Sequence, residues 1–132
     1  MASVRGYNRQ ADGQWKYRLP GEDEGIIYMH LVDFAARSAE EIKSILEAAQ
    51  AQSSYRGIIL DLRGNGGGLL NTAVDVCDLF INQQKIVSVR FRNTQQDRSY
   101  EGTAEATIDA TTPMVILIDE NSASASEITA AC

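Results

Sequence analysis

Arg56-Gly57-Ile58-Ile59-Leu60-Asp61-Leu62-Arg63-Gly64-Asn65-Gly66-Gly67-Gly68-Leu69-Leu70 is the stretch on which the fold turns. Ile58 to Leu62 is short, apolar and β-branched-rich, the signature of a buried strand. Gly64, Gly66, Gly67 and Gly68 end it at once and free the backbone for positive φ and for close approach of another segment. Leu70, Ala73, Val74, Cys77 and Phe80 then recur at helical spacing and predict a helix over about 69–81. Cys77 lies on the apolar face and reads as an inert core residue. A strand that runs through a tight loop into a helix is the opening of a βαβ unit.

The flanks extend the pattern. Upstream, Gly25 to Val32 is nearly all apolar and predicts a strand buried on both faces, with His30 as a hydrogen-bonded core residue. Ser38-Ala39-Glu40-Glu41 fits a capping box, and Ile42, Ile45, Leu46 and Ala49 carry a helix to about Gln52. Before these, the Asp12-Gly13 turn and the alternation over Gln14 to Leu19 predict a hairpin within residues 4–19, followed by a polar break at Pro20 to Gly25. Downstream, Lys85 to Arg92 alternates as a half-buried strand, and Asn93 to Thr111 is polar and irregular, anchored by Tyr100 and Ile108. Pro113 to Asp119 reads as another buried strand, and Ser126 to Ala131 as the start of a helix.

Strands alternating with helices imply an α/β fold of βαβ units on a mainly parallel sheet. The expected division is a hairpin and connection over residues 1–24 and a core over 25–132. The last apolar pattern reaches Cys132 with no glycine, proline or cap, so the sequence is expected to be a piece of a longer chain, truncated within its core.

Composition narrows the functions. The chain has 132 residues, 44% apolar and 23% charged, with a net charge of −6. That acidity argues against a nucleic acid or an anionic membrane surface as the main partner. No apolar stretch reaches membrane-spanning length. Cys77 and Cys132 lack the spacing of a metal site or a disulfide framework, and a single histidine, His30, cannot make a histidine-rich metal centre. A P-loop needs Lys-Ser/Thr where Leu69-Leu70 stand, and a dinucleotide fingerprint begun at Gly64 would need glycine at Leu69, so no cofactor is expected.

Two stretches could carry chemistry, and both follow a strand at its carboxyl end, where ligands gather in open α/β sheets. One is the glycine loop, whose N–H groups can form an anion-binding concavity. The other is Glu120-Asn121-Ser122-Ala123-Ser124-Ala125-Ser126-Glu127-Ile128, three serines on a strand-to-helix turn. Ser124-Ala125-Ser126-Glu127 also fits a capping box, a purely structural use of the same residues. A nucleophilic serine needs a base and an oxyanion hole. The glycine loop and the N–H after the serine can supply the hole. No base is evident: His30 sits in a strand, and Lys16, Lys43 and Lys85 lack the surroundings of a desolvated pocket.

These residues resemble the carboxyl-terminal processing proteases, also called tail-specific proteases. The resemblance rests on Leu60-Asp61-Leu62-Arg63-Gly64-Asn65-Gly66-Gly67-Gly68-Leu69-Leu70, Ala73-Val74-Asp75 and Ser122-Ala123-Ser124-Ala125-Ser126-Glu127-Ile128, and covers roughly residues 25–132. It implies a ClpP/crotonase-like core and a serine endopeptidase with a Ser-Lys dyad. The partner it implies is a protein or peptide with an exposed C-terminal tail, engaged in the family through a PDZ domain. By motif, Ser124 matches the nucleophile; Ala125 and either Gly67 or Gly68, with Gly68 favoured, match the oxyanion hole. The family's lysine lies further downstream than residue 132, and nothing here resembles a PDZ domain, so these residues alone are expected to be inactive. Export to a bacterial periplasm, cell envelope or plastid lumen is the family's usual destination; any membrane attachment would come from other parts of such a protein. Two alternatives share the fold: a non-catalytic module like the retinoid-carrying repeats, and a tricorn-type protease core.

Overall fold

The computed structural model describes residues 1–82, 84–103 and 106–132. In chain order the elements are β1 (Val4–Arg5), β2 (Asn8–Arg9), β3 (Trp15–Lys16), β4 (Ile26–Leu31), α1 (Ser38–Gln52), β5 (Gly57–Asp61), α2 (Leu70–Asp78), β6 (Lys85–Val89), β7 (Arg98–Glu101), β8 (Met114–Leu117) and α3 (Ala125–Ala131). The central sheet has the order β1-β4-β5-β8. Both β4 and β8 run parallel to β5, and only β1 is antiparallel to its neighbour. The sheet is therefore mainly parallel and the fold α/β, as the alternation of strands and helices requires. No helix among the described residues is long and apolar enough to cross a membrane.

Register explains the core. The rows Ile27–Ile58–Met114 and Met29–Leu60–Ile116 share one face of the sheet. Against it pack Ile42 and Leu46 of α1 and Ala73 and Val76 of α2, all inaccessible to solvent. The helices also touch one another in chain order, α1 on α2 and α2 on α3. The opposite row, Tyr28–Ile59–Val115, is half-buried at best, and Val115 is 55% exposed.

That asymmetry corrects several expectations. β4 is buried on one face only, and His30 lies on the half-covered side. Among the described residues β8 is an edge strand, and Val115 within it and Ile118 just after it are exposed, so the run expected to be a buried strand is buried only in part. The N-terminal hairpin is confined to β2 and β3. Val4 instead pairs with Leu31 and is fully buried in the main core. The stretch 93–111 is less irregular than its composition suggests: β7 lies within it and pairs with β6 in a separate two-stranded sheet. Positions 104 and 105 of that stretch lie outside the described residues. The helix expected over 69–81 is shorter, Leu70–Asp78, and turns Thr72, Ala73, Val76 and Cys77 inward.

The capping box at Ser38 does not form. Arg37 is the N-cap of α1, and the Glu41 carboxylate reaches away from the helix. It accepts the N–H of Ser3 at 2.9 Å and of Val4 at 3.1 Å. The Ser38 hydroxyl accepts the Ala35 N–H and lies 2.7 Å from the Ser3 hydroxyl. The N–H groups of Ser3 and Val4 take the Glu41 carboxylate, and the Ala35 N–H and the Ser3 hydroxyl engage Ser38, because a buried unpaired donor costs more than a helix end open to water.

Candidate active site

The sheet brings the two chemically suggestive stretches together. Because β5 and β8 are parallel neighbours, their carboxyl ends leave the sheet side by side, and the glycine loop and the serine turn become adjacent walls. Four hydrogen bonds lace them. The Ser122 hydroxyl donates to the Leu62 carbonyl at 2.7 Å, and the Ser126 hydroxyl to the Asn65 carbonyl at 2.8 Å. The Ala123 N–H donates to the Asn65 carbonyl at 3.1 Å, and the Gly64 N–H to the Asp119 carboxylate at 3.0 Å. The last bond is the chief reason the Asp119 carboxyl is held below the usual carboxylate range.

This lacing sorts the three serines. Ser122 and Ser126 spend their hydroxyl protons on carbonyls of the neighbouring segment. Ser124 is exposed, and its hydroxyl proton goes to no acceptor among the described residues. Its backbone stands at φ 54°, ψ −112°, the only positive φ of a non-glycine residue among those described. Such a conformation costs about 1–3 kcal/mol and persists only where surrounding bonds impose it. One of those bonds is local: the Glu127 carboxylate accepts the Ser124 N–H at 2.8 Å, the capping-box contact at the start of α3. The structural reading of this serine, at the cap of α3, thus holds.

The glycine loop fits against this turn at Gly67. A Cβ placed on Gly67 would lie 2.9 Å from the Ser124 Cβ, 3.0 Å from the Ala123 oxygen and 3.2 Å from the Ala125 nitrogen. No side chain fits there, and φ of 110° is equally adverse to one. Gly68 is pressed instead against Phe34, where an added Cβ would lie 2.6 Å from the carbonyl oxygen. Phe34 and the loop also pair as strands do, Phe34 N–H to Gly67 at 3.1 Å and Leu69 N–H to Phe34 at 2.9 Å. Of the candidate oxyanion donors, Gly67 N–H is already bound to the Asn65 side chain at 2.8 Å. Those of Gly68 and Ala125 meet no acceptor among the described residues.

Beneath the loop, Asp61 is 2% exposed and is held by three groups. The Arg63 guanidinium donates to it at 2.9 and 2.7 Å, the Arg63 backbone N–H at 3.0 Å, and the Tyr28 hydroxyl at 2.6 Å. Burial alone would raise the Asp61 pKa; the hydrogen bonds from Arg63 and Tyr28 outweigh it and bring it down to about 2. His30 bonds through Nε2 to the Arg63 carbonyl at 3.0 Å, which makes it hydrogen-bonded as expected, though not a core residue. This cluster fixes the exit of β5 and so the base of the glycine loop.

None of the possible bases reaches the serine. Lys43 faces Glu47 at 3.8 Å on α1, and Lys16 and Lys85 lie on the two small sheets. Neither a lysine nor His30 is hydrogen-bonded to Ser124 among the described residues. No group of His, Cys, Asp and Glu among them could hold a metal ion. Asn65 was not singled out by its sequence. The available signal was that it is the one side chain inside a run of glycines, a place where a side chain has to be accommodated.

Comparison with known proteins accords with this geometry. A model of Peptidase family S41 matches residues 25–132. The carboxy-terminal-processing protease of Bartonella bacilliformis is 35% identical over 118 residues, 87% of this chain and 26% of that protein. That of Synechocystis is 38% identical over 84% of this chain and 25% of the relative. A Bacillus subtilis carboxy-terminal processing protease is 33% identical over 83% and 23% respectively. Among solved structures, a photosystem II D1 C-terminal processing protease superposes with a TM-score of 0.67 at 29% identity, covering 80% of this chain and 26% of that one. A putative peptidase from Parabacteroides merdae, at 18% identity and a TM-score of 0.66, shares the fold. The chain spans about a quarter of the length of these curated relatives. On its match to the family model and its likeness to the carboxyl-terminal processing proteases, the chain belongs to peptidase family S41.

Proposed function

We propose that this chain carries the nucleophile and the oxyanion hole of a serine endopeptidase that cleaves proteins near their C-terminus. Ser124 is the nucleophile, and the N–H groups of Gly68 and Ala125 receive the oxyanion of the tetrahedral intermediate. The observation that carries this reading is the sorting of the serines: Ser122 and Ser126 are spent on structure, while strained, exposed Ser124 lies on the turn that Gly67 packs against, and the N–H groups of Gly68 and Ala125 meet no acceptor among the described residues. Attack by its hydroxyl on a scissile carbonyl requires a base to take the proton. The resemblance supplies a lysine for that role from sequence beyond residue 132, and since the chain spans only a quarter of its relatives, such a residue has ample sequence to come from. Protein or peptide substrates with an exposed, apolar C-terminal tail are the expected partners.

The test is cleavage of a peptide with an apolar C-terminus by the full-length protein. Ser124→Ala is expected to abolish turnover, a loss of several orders of magnitude. Unchanged cleavage by that variant would refute the assignment. Residues 1–132 alone are expected to show no turnover, and robust activity there would place the base within this chain.

A further inference from the structure

Asn65 is completely buried, and both ends of its amide are used. Nδ2 donates to the Leu31 carbonyl at the end of β4 at 2.8 Å, and Oδ1 accepts the Gly67 N–H at 2.8 Å. Its backbone is equally engaged. The N–H donates to Leu62 at 3.1 Å, and the carbonyl accepts both the Ala123 N–H and the Ser126 hydroxyl. One residue thus joins the end of β4, the exit of β5, the glycine loop and the serine turn. An aspartate would lose the donor to Leu31, and an alanine would leave two buried groups unpaired.

The consequence reaches the chemistry. A backbone N–H can be aimed at one acceptor, and oxyanion donors work because they are aimed before charge develops. Gly67 and Gly68 are neighbours, and either could offer its N–H to the site. Gly67 is buried and committed to Asn65, whereas Gly68 is exposed and uncommitted. We propose that Asn65 is a positioning residue that assigns the oxyanion-hole role to Gly68: its side chain withdraws the Gly67 N–H, while its carbonyl holds the serine turn where the Ala125 N–H completes the hole. This rests on Ser124 being the nucleophile.

The test uses the full-length protein, a peptide substrate with an apolar C-terminus, and a peptide boronic acid. In the adduct the Ser124 oxygen bonds to boron, its proton passes to the base, and one boronate oxygen occupies the hole. Asn65→Ala is expected to lower kcat about 100-fold with KM nearly unchanged, and to weaken the boronate by a similar factor. A role confined to stability would instead lower the active fraction and leave the kcat of correctly folded molecules as it was, so kcat is read per folded molecule, counted from the unfolding transition. A folded Asn65→Ala protein with wild-type kcat and boronate affinity overturns the proposal. Should that variant not fold, the crystal structure of the unmodified protein with the boronate decides. The oxygen on the Gly68 and Ala125 N–H groups, with Gly67 still on Asn65, supports the assignment; Gly67 turned toward the boronate overturns it. Ser124→Ala separates the two levels: turnover retained by that variant defeats the nucleophile reading itself, whatever Asn65 does.

Discussion

Replacing Gly67 with alanine should unfold the protein far more readily than replacing its neighbour Gly66. At Gly67 the new methyl meets the Ser124 Cβ at 2.9 Å, the Ala123 oxygen at 3.0 Å and the Ala125 nitrogen at 3.2 Å. Two of these atoms are backbone and the third is bonded directly to it, so no rotamer change relieves the contact. Overpacking of this kind costs about 1–3 kcal/mol. The φ of 110° adds a further cost of about 1–2 kcal/mol for a residue with a Cβ. Together the loss should be about 3 kcal/mol. Gly66 has nothing within 4 Å of its position and lies outside the left-handed region. Alanine there should leave stability unchanged or raise it by about 0.5 kcal/mol, through the stiffer unfolded chain. Urea unfolding followed by circular dichroism reads the difference. With a slope of about 1.5 kcal/mol/M, the Gly67→Ala midpoint should fall by about 2 M while that of Gly66→Ala stays in place. Coincident midpoints for the two variants would mean that the loop does not seat against the serine turn as described.

Two further predictions concern the strained serine and the buried carboxylate. Ser124→Gly should raise the thermal unfolding midpoint, gaining about 1 kcal/mol from the relief of φ 54°, even as it removes the proposed nucleophile; a lower midpoint would show that the conformation is not strained. Asp61, with a folded-state pKa of about 2 against an ordinary 3.8, contributes stability that is complete above about pH 4 and lost as the pH falls through 2. That contribution is about 2 kcal/mol. Acid unfolding of wild type and Asp61→Asn should therefore converge between those pH values, the variant being the less stable at pH 6, and parallel curves over that range would contradict the bonds from Arg63 and Tyr28.

Much of this was legible in the chain before any coordinate. Periodicity found β4, α1, β5, α2 and β8, and their alternation dictated the parallel sheet. The glycine run and the triplet of serines named both walls of the candidate site. What sequence could not show was long-range competition. Glu41 and Ser38 spell a helix cap, yet Glu41 instead takes the N–H groups of Ser3 and Val4, more than 35 positions away, and Ser38 meets the Ser3 hydroxyl and the Ala35 N–H. The apolar run at β4 reads as buried on both faces and that at β8 as a buried strand, since composition does not distinguish an inner strand from an edge. The roles of Ser122, Ser126 and Asn65 depend on bonds between segments about 60 residues apart. No local pattern encodes those.

The bonds between the glycine loop and the serine turn also set an order of events in biosynthesis. They close loops spanning 55 to 61 residues, so they form late, after the local helices and after β8 has found β5. Until then the glycine loop does not lie against Ser124, and only the local Glu127 contact acts on its backbone. A nascent chain emerging from the ribosome therefore carries the serine turn and the glycine loop without the packing that joins them.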